Sequence, residues 1–203
     1  MVELARTLKR AGYELVSTGG THKALAAANL STTPIEDVTG VPEMLSGRVK
    51  TLHPNVHGGI LADSDDDTHA QQLQHHGITP INVVVCNLYP FQKVAAKPDA
   101  TRAEAIENID IGGVTLIRAA AKNHASVLVI TDPSSYTELG AAIAANAVSP
   151  EMRLECAIKA FEHTRNYETA IHEYLLKQAA GAKPEHGLPL NLKPAPAKAT
   201  AHR

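Results

Sequence analysis

The stretch "INVVVCNLYPF", Ile81–Phe91, decides the fold. Val83, Val84 and Val85 form an apolar run without polar alternation, and the chain then turns polar from Asn87 to Pro90. A strand with one wet face alternates, whereas a continuous run points to a strand covered on both faces, as in a parallel sheet. "SVLVIT", Ser126–Thr131, has the same character. "TRAEAIENI" and "GGVTLIRAAAKN", between these two strands, read as helices.

Upstream, "VELARTLKRAG" reads as an amphipathic helix with Leu4, Ala5 and Leu8 on one face and Gly12 as its stop. "YELVS" is a short strand, and "TGGTHKALAAAN" is a glycine turn opening an alanine-rich helix. "TTPIEDV" is a weak strand candidate, "VHGGILA" a further strand, and "DSDDDTHAQQLQHHG" an acidic helix start. Downstream, Ser134–Asn146 reads as helical. Ser149-Pro150 supplies an N-cap and first-turn proline for a long helix to about Gln178. Strands alternating with helices imply an α/β fold: three layers, a mostly parallel sheet with helices on both faces. Residues 1–180 form the expected domain, and 181–203 reads as a Pro/Ala/Lys-rich tail or interdomain linker.

The 203 residues carry a net charge of −2, so no global field attracts nucleic acid or an anionic membrane. With no Trp and 3% aromatic residues, a base-stacking surface is not expected. There is no apolar run of spanning length and no signal-peptide pattern, and Cys86 and Cys156 lie far apart, outside any metal spacing. The expectation is a soluble cytoplasmic protein with reduced thiols.

Parallel sheets bind ligands at the carboxyl ends of their strands, so the loops after strands are the candidates. "STGGTH", Ser17–His22, offers hydroxyls, backbone N–H groups and a helix N-terminus to an anion; a capped turn would look the same. "GRVKTLHPNVHGG" concentrates Arg48, Lys50, His53 and His57 in one loop, where Pro54 argues against a helical metal pair. Asn87 and Tyr89 end the best strand. Asp110 precedes a Gly-Gly helix start and Lys122 ends that helix, roles that a cap and a C-terminal charge would also fill. The inventory suits a phosphorylated small molecule and proton transfers without a metal.

"STGGT", "GVPEMLSGRVKTLHPNVHGGIL", "CNLYPF", "IDIGGVTLIRAAAKNH" and "AFEHTRNYETAI" together closely resemble the IMP cyclohydrolase domain of bifunctional purine-biosynthesis enzymes, over roughly Met1–Leu176. The resemblance implies a methylglyoxal-synthase-like α/β fold. It also implies dehydrative closure of 5-formamidoimidazole-4-carboxamide ribotide to inosine monophosphate, with no metal or organic cofactor, in a homodimer. Carried over by position, Thr18, Gly19, Gly20 and Thr21 would bind the ribose phosphate. Arg48, Lys50 and Thr51 would contact the substrate, Lys50 at the formyl oxygen. Cys86 and Asn87 would line the base, Tyr89 would bond near the reacting centre, and Asp110 and Lys122 would manage protons. Ile111, Gly112 and Gly113 would supply backbone contacts. An unbroken helix from Gly112 would set Asp110 and Lys122 about 15–18 Å apart, so a site using both would be completed across a dimer.

Family members usually open with a strand and a Ser…Asp-Lys-Thr loop, which does not precede Met1 here; a partial sequence is the expectation. No formyltransferase chemistry is expected of these residues, so that activity would come from a linked domain or partner protein. Two other readings carry the same fold. One is a truncated, catalytically impaired nucleotide-binding or dimerisation module, akin to the effector domain of carbamoyl phosphate synthetase. The other is methylglyoxal synthase, which leaves "GRVKTLHP" and "AAAKNH" unexplained.

Overall fold

The computed structural model describes residues 1–181; of the expected tail, 181–203, Gly181 ends a helix and 182 onward lies outside the described residues. Helix α1 (Val2–Arg10) buries Leu4, Ala5 and Leu8, as its periodicity requires, and leads into the two-residue strand β1 (Val16–Ser17). α2 (Gly19–Ala27) follows, then β2 (Thr33–Pro34), which pairs with β1 in parallel, Val16 opposite Thr33. The weak strand candidate at Thr32–Val38 is therefore a strand for two residues only; Ile35 onward winds into α3 (Ile35–Thr39).

α4 (Pro54–Leu61) corrects the expected strand at "VHGGILA". The cause is a local start signal: Pro54 sits at the first helical turn and the His53 ring accepts the Asn55 N–H at 3.1 Å. Gly59 then lets this helix lie against the chain ahead, since a Cβ there would stand 2.5 Å from the Thr79 carbonyl oxygen. α5 (Asp67–His76) begins where the acidic run predicts, capped by Asp66, which accepts N–H bonds from Thr68 and His69.

β3 (Val83–Val85) and β4 (Leu128–Ile130) pair in parallel, and Cys86 N–H extends the ladder to the Ile130 carbonyl. Between them run α6 (Phe91–Ala95), α7 (Arg102–Glu107) and α8 (Gly112–Lys122). After β4 come a short 3-10 turn, α9 (Tyr136–Ala144) and the long α10 (Pro150–Gly181). The Ser149 hydroxyl caps α10 by accepting the Met152 N–H at 3.2 Å.

The α/β expectation is met, with parallel strands under helices. The strands form two pairs, β1–β2 and β3–β4, rather than one continuous ladder among the described residues. Between the pairs lies a cavity of about 230 Å³, lined by Val16 and Ser17 from one and Val83 and Val85 from the other. β3 is consequently not covered on both faces along its length: Val84 is buried, Val83 half-buried and Val85 exposed. β4 is buried throughout. The main core joins α1, α4, α8, α9, α10 and the β3–β4 pair, with Ile117 wholly enclosed. Burying such a side chain contributes roughly 1.5–3 kcal/mol. A second apolar cluster, Phe91, Ala105, Val114, Tyr167 and Ile171, fastens α6, α7 and α10 to α8.

Candidate functional site

Three segments come together from distant parts of the chain. The first follows β1, where Thr18 has extended backbone (φ −123°) and Gly19 is left-handed (φ +47°), so the chain turns directly into α2. The turn leaves Gly19, Gly20 and Thr21 exposed and the first N–H groups of α2 unspent on side-chain caps. Such a helix start favours negative charge.

The second is a tight hairpin, in which Met44 and Val49 form an antiparallel bridge and Leu45, Ser46 and Gly47 are all left-handed. That turn folds Lys50 back onto Glu43, Nζ to Oε2 2.6 Å. The same ammonium stands 3.7 Å from where a Gly19 Cβ would be, so the cation of this loop lies beside the start of α2. Arg48 points elsewhere: its guanidinium makes an exposed forked ion pair with Glu107 at the end of α7, with Nε to Oε1 3.2 Å. The bond to Glu107 raises Arg48 above its usual value and lowers Glu107 below the usual carboxylate range.

The third is the start of α8. A Cβ on Gly112 would lie 2.7 Å from the Thr51 hydroxyl, and one on Gly113 would lie 2.6 Å from Asp110 Oδ2 and 2.9 Å from Leu88. Only glycines allow the hairpin's end and the Asp110 carboxylate to pack this closely on the first turn. Asp110 Oδ1 accepts the Gly113 N–H at 2.7 Å, and Oδ2 accepts the Tyr89 N–H at 3.4 Å. The cap reading of Asp110 therefore holds, and the same carboxylate also ties the loop after β3 to α8. Ile111, beside it, is exposed.

The loop after β3 contributes Cys86, whose thiol donates to the Gly113 carbonyl at 3.8 Å. Burial, and secondarily the nearby Asp110 charge, push that thiol up to about 12. Asn87 donates to the Tyr136 hydroxyl at 2.7 Å and lines the cavity between the strand pairs. Tyr89 is exposed.

The fold thus gathers Thr18–Thr21, Lys50, Thr51, Cys86, Tyr89, Asp110 and Gly112–Gly113 around the first turns of α2 and α8. It does not bring Lys122 to them. α8 is unbroken over 11 residues, so Lys122 is exposed at the opposite end, about 16 Å along the axis. The sequence reading missed four partners: Glu43, Glu107, Tyr136 and Tyr167. Glu43 and Tyr167 lie inside motifs already singled out, but a long-range or turn-mediated contact leaves no periodic signal.

A family model described as "MGS-like domain" matches residues 1–115, and one described as "AICARFT/IMPCHase bienzyme" matches residues 120–199. The chain is 53% identical over 186 residues to the bifunctional purine biosynthesis protein PurH of Streptococcus mutans, covering 91% of this chain and 36% of that protein. The Streptococcus pneumoniae and Streptococcus gordonii proteins of the same name are 51% and 50% identical with the same coverage. The chain therefore spans about a third of the length of these relatives. A solved structure described as ForH superposes with a TM-score of 0.75 at 33% identity, covering 89% of this chain and 92% of that one. With 115 of its 203 residues matched by the first model, the chain belongs to the MGS-like domain family and is homologous to the bifunctional purine biosynthesis protein PurH.

Proposed function

We propose that this chain is an IMP cyclohydrolase, closing 5-formamidoimidazole-4-carboxamide ribotide to inosine monophosphate with loss of water. The observation that carries the reading is the meeting of Lys50, Thr51 and Asp110 at the first turns of α2 and α8. In this reading residues 1–180 are the catalytic domain and 181–203 a linker. The glycine turn after β1 takes the ribose phosphate through backbone N–H groups, Thr18 and Thr21. Thr51 holds the rest of the ribotide together with Arg48, which must first exchange its Glu107 partner for substrate.

The carboxamide nitrogen is a weak nucleophile, so the site's first task is to hold it against the formamide carbon. Positioning of this kind is worth up to about 7–11 kcal/mol. Attack gives a tetrahedral carbinolamine whose oxygen gains negative charge, which the Lys50 ammonium stabilises. Lys50 must first exchange its Glu43 partner for that oxygen. Asp110, beside the backbone of Tyr89, takes a proton from the attacking nitrogen and returns it to the oxyanion. The resulting hydroxyl takes the proton of the former formamide nitrogen and leaves as water as the ring C=N bond forms. Lys122 serves this proton transfer from a second copy of the chain, because its own α8 holds it away from Asp110. A formyltransferase domain or separate protein supplies the ribotide.

A second reading, a nucleotide-binding module without turnover, is favoured by the open cavity between the two strand pairs. Ultraviolet absorbance of ring closure by the purified chain, set beside Lys122→Ala, separates the two. The expected outcome is turnover that falls at least a hundredfold in the variant. A folded wild-type chain that binds inosine monophosphate yet forms none from the formylated ribotide would overturn the cyclohydrolase reading and leave the module.

A further inference from the structure

We propose that Tyr167, on α10, is the positioning residue that holds Asp110 in place for proton transfer. The proposal rests on the cyclohydrolase reading for its catalytic consequence, and on geometry alone for the clamp itself.

The segment joining α7 to α8 has backbone groups that neither helix satisfies. The Tyr167 hydroxyl meets two of them. It accepts the Asp110 N–H at 2.8 Å and donates to the Asn108 carbonyl at 3.3 Å, across 57 and 59 residues of sequence. One phenol thus bridges two peptide groups flanking Ile109. The Asp110 side chain is held from the other direction by the Gly113 and Tyr89 N–H groups. Backbone and carboxylate are each tied to a different element, so the carboxylate has little freedom to swing.

The phenol itself is fixed. Tyr167 is 7% exposed and its ring meets Phe91 edge-on, centroids 6.3 Å apart, within the second apolar cluster. Burial raises its ionisation above the ordinary phenol value, so the hydroxyl keeps the proton it needs to donate to Asn108 while its oxygen accepts from Asp110. The "AFEHTRNYETAI" motif thereby acquires a role: α10 carries a buried hydroxyl to the base of the Asp110 loop.

Tyr167→Phe keeps the ring and removes only the clamp. In the full chain we expect kcat to fall ten- to hundredfold with KM within twofold, since small misplacements of a reacting group cost rates of this order. Asp110→Asn combined with Tyr167→Phe should be no slower than Asp110→Asn alone. Ile171→Ala, which loosens the same cluster without touching Asp110, should lower the melting temperature and spare kcat. Wild-type kcat in Tyr167→Phe, a loss that multiplies fully with that of Asp110→Asn, or an equal kcat loss in Ile171→Ala would overturn the proposal. Amide NMR signals of Asp110 and Gly113 provide a readout independent of turnover. Both should move in Tyr167→Phe, and unchanged signals would refute the clamp even in a chain whose wild type forms no inosine monophosphate.

Discussion

Cys86 illustrates how much one side chain's surroundings limit its chemistry. It sits where the chain leaves β3, with its thiol against the Gly113 carbonyl and Asp110 close by. Burial and the neighbouring negative charge both disfavour the thiolate, holding the group near 12. At pH 8 the protonated thiol then dominates, leaving too little thiolate for a nucleophile. Cys86 therefore packs against the first turn of α8 as an unreactive thiol. Cys156, buried among core residues, is likewise raised. Iodoacetamide at pH 8 should leave both thiols unmodified in the folded chain and alkylate both in denaturant, as read by mass spectrometry. Labelling of Cys86, which is half-buried, at the same rate in both states would contradict its suppressed ionisation. The loop cations show the complementary case: Lys50 and Arg48 each have a carboxylate partner, so an incoming phosphate or oxyanion competes with Glu43 and Glu107 rather than meeting bare charge.

Among the helices, α7 is short and depends on its start. Thr101 accepts the Glu104 N–H at 3.2 Å, and the Glu104 carboxylate reaches back to the Thr101 N–H at 2.8 Å, a reciprocal capping box. Bonds from the Thr101 backbone and hydroxyl lower Glu104 below its ordinary 4.5. A carboxyl depressed in the folded state stabilises above its ordinary value and loses that contribution as pH falls through the lower folded value. Thr101→Ala should therefore lower the thermal midpoint at pH 7 and show a smaller deficit below pH 4.5, where wild type loses the Glu104 contribution as well. A deficit independent of pH would mean that the carboxylate arm of the box adds nothing. Since α7 carries Glu107 at its end and Ala105 in the second cluster, this cap also bears on where Arg48 is held.

At the scale of the whole molecule, the unbroken α8 determines what one chain can do alone. It separates Asp110 from Lys122 by its full length, and among the described residues no bond or ion pair links the two. If both serve one substrate, two chains must share each site. Asp110→Asn and Lys122→Ala proteins, each inactive, should then recover activity on mixing. Random pairing into twofold dimers gives about one quarter of wild-type activity per chain, because half the dimers are mixed and each has one intact site. No recovery after verified subunit exchange would remove the shared-site reading. The cavity between the strand pairs and the exposed residues Val16 and Val85 beside it belong to the same scale, since neither pair reveals it alone.

Several helices and strands were legible in the residues where the governing forces are local, whereas the division of the strands into two pairs was not. Apolar period, the acidic run at 63–67, Ser149 as a cap, and the unbroken run at Val83–Val85 announce α1, α5, α10 and β3 within a few residues of the features themselves. Even the α4 error was local, a cap-and-proline start at His53-Pro54 that outweighed a β-like composition. The residues of the candidate site were nameable from their motifs, but not their partners. Arg48 finds Glu107 across 59 positions, Asn87 finds Tyr136 across 49 and Asp110 finds Tyr167 across 57. Propensity and capping act over about one helical turn, whereas these bonds depend on how α7, α9 and α10 pack around β3 and α8. That packing also decided that one chain keeps Asp110 and Lys122 apart: the sequence specified the helix between them, and only its uninterrupted geometry set the distance.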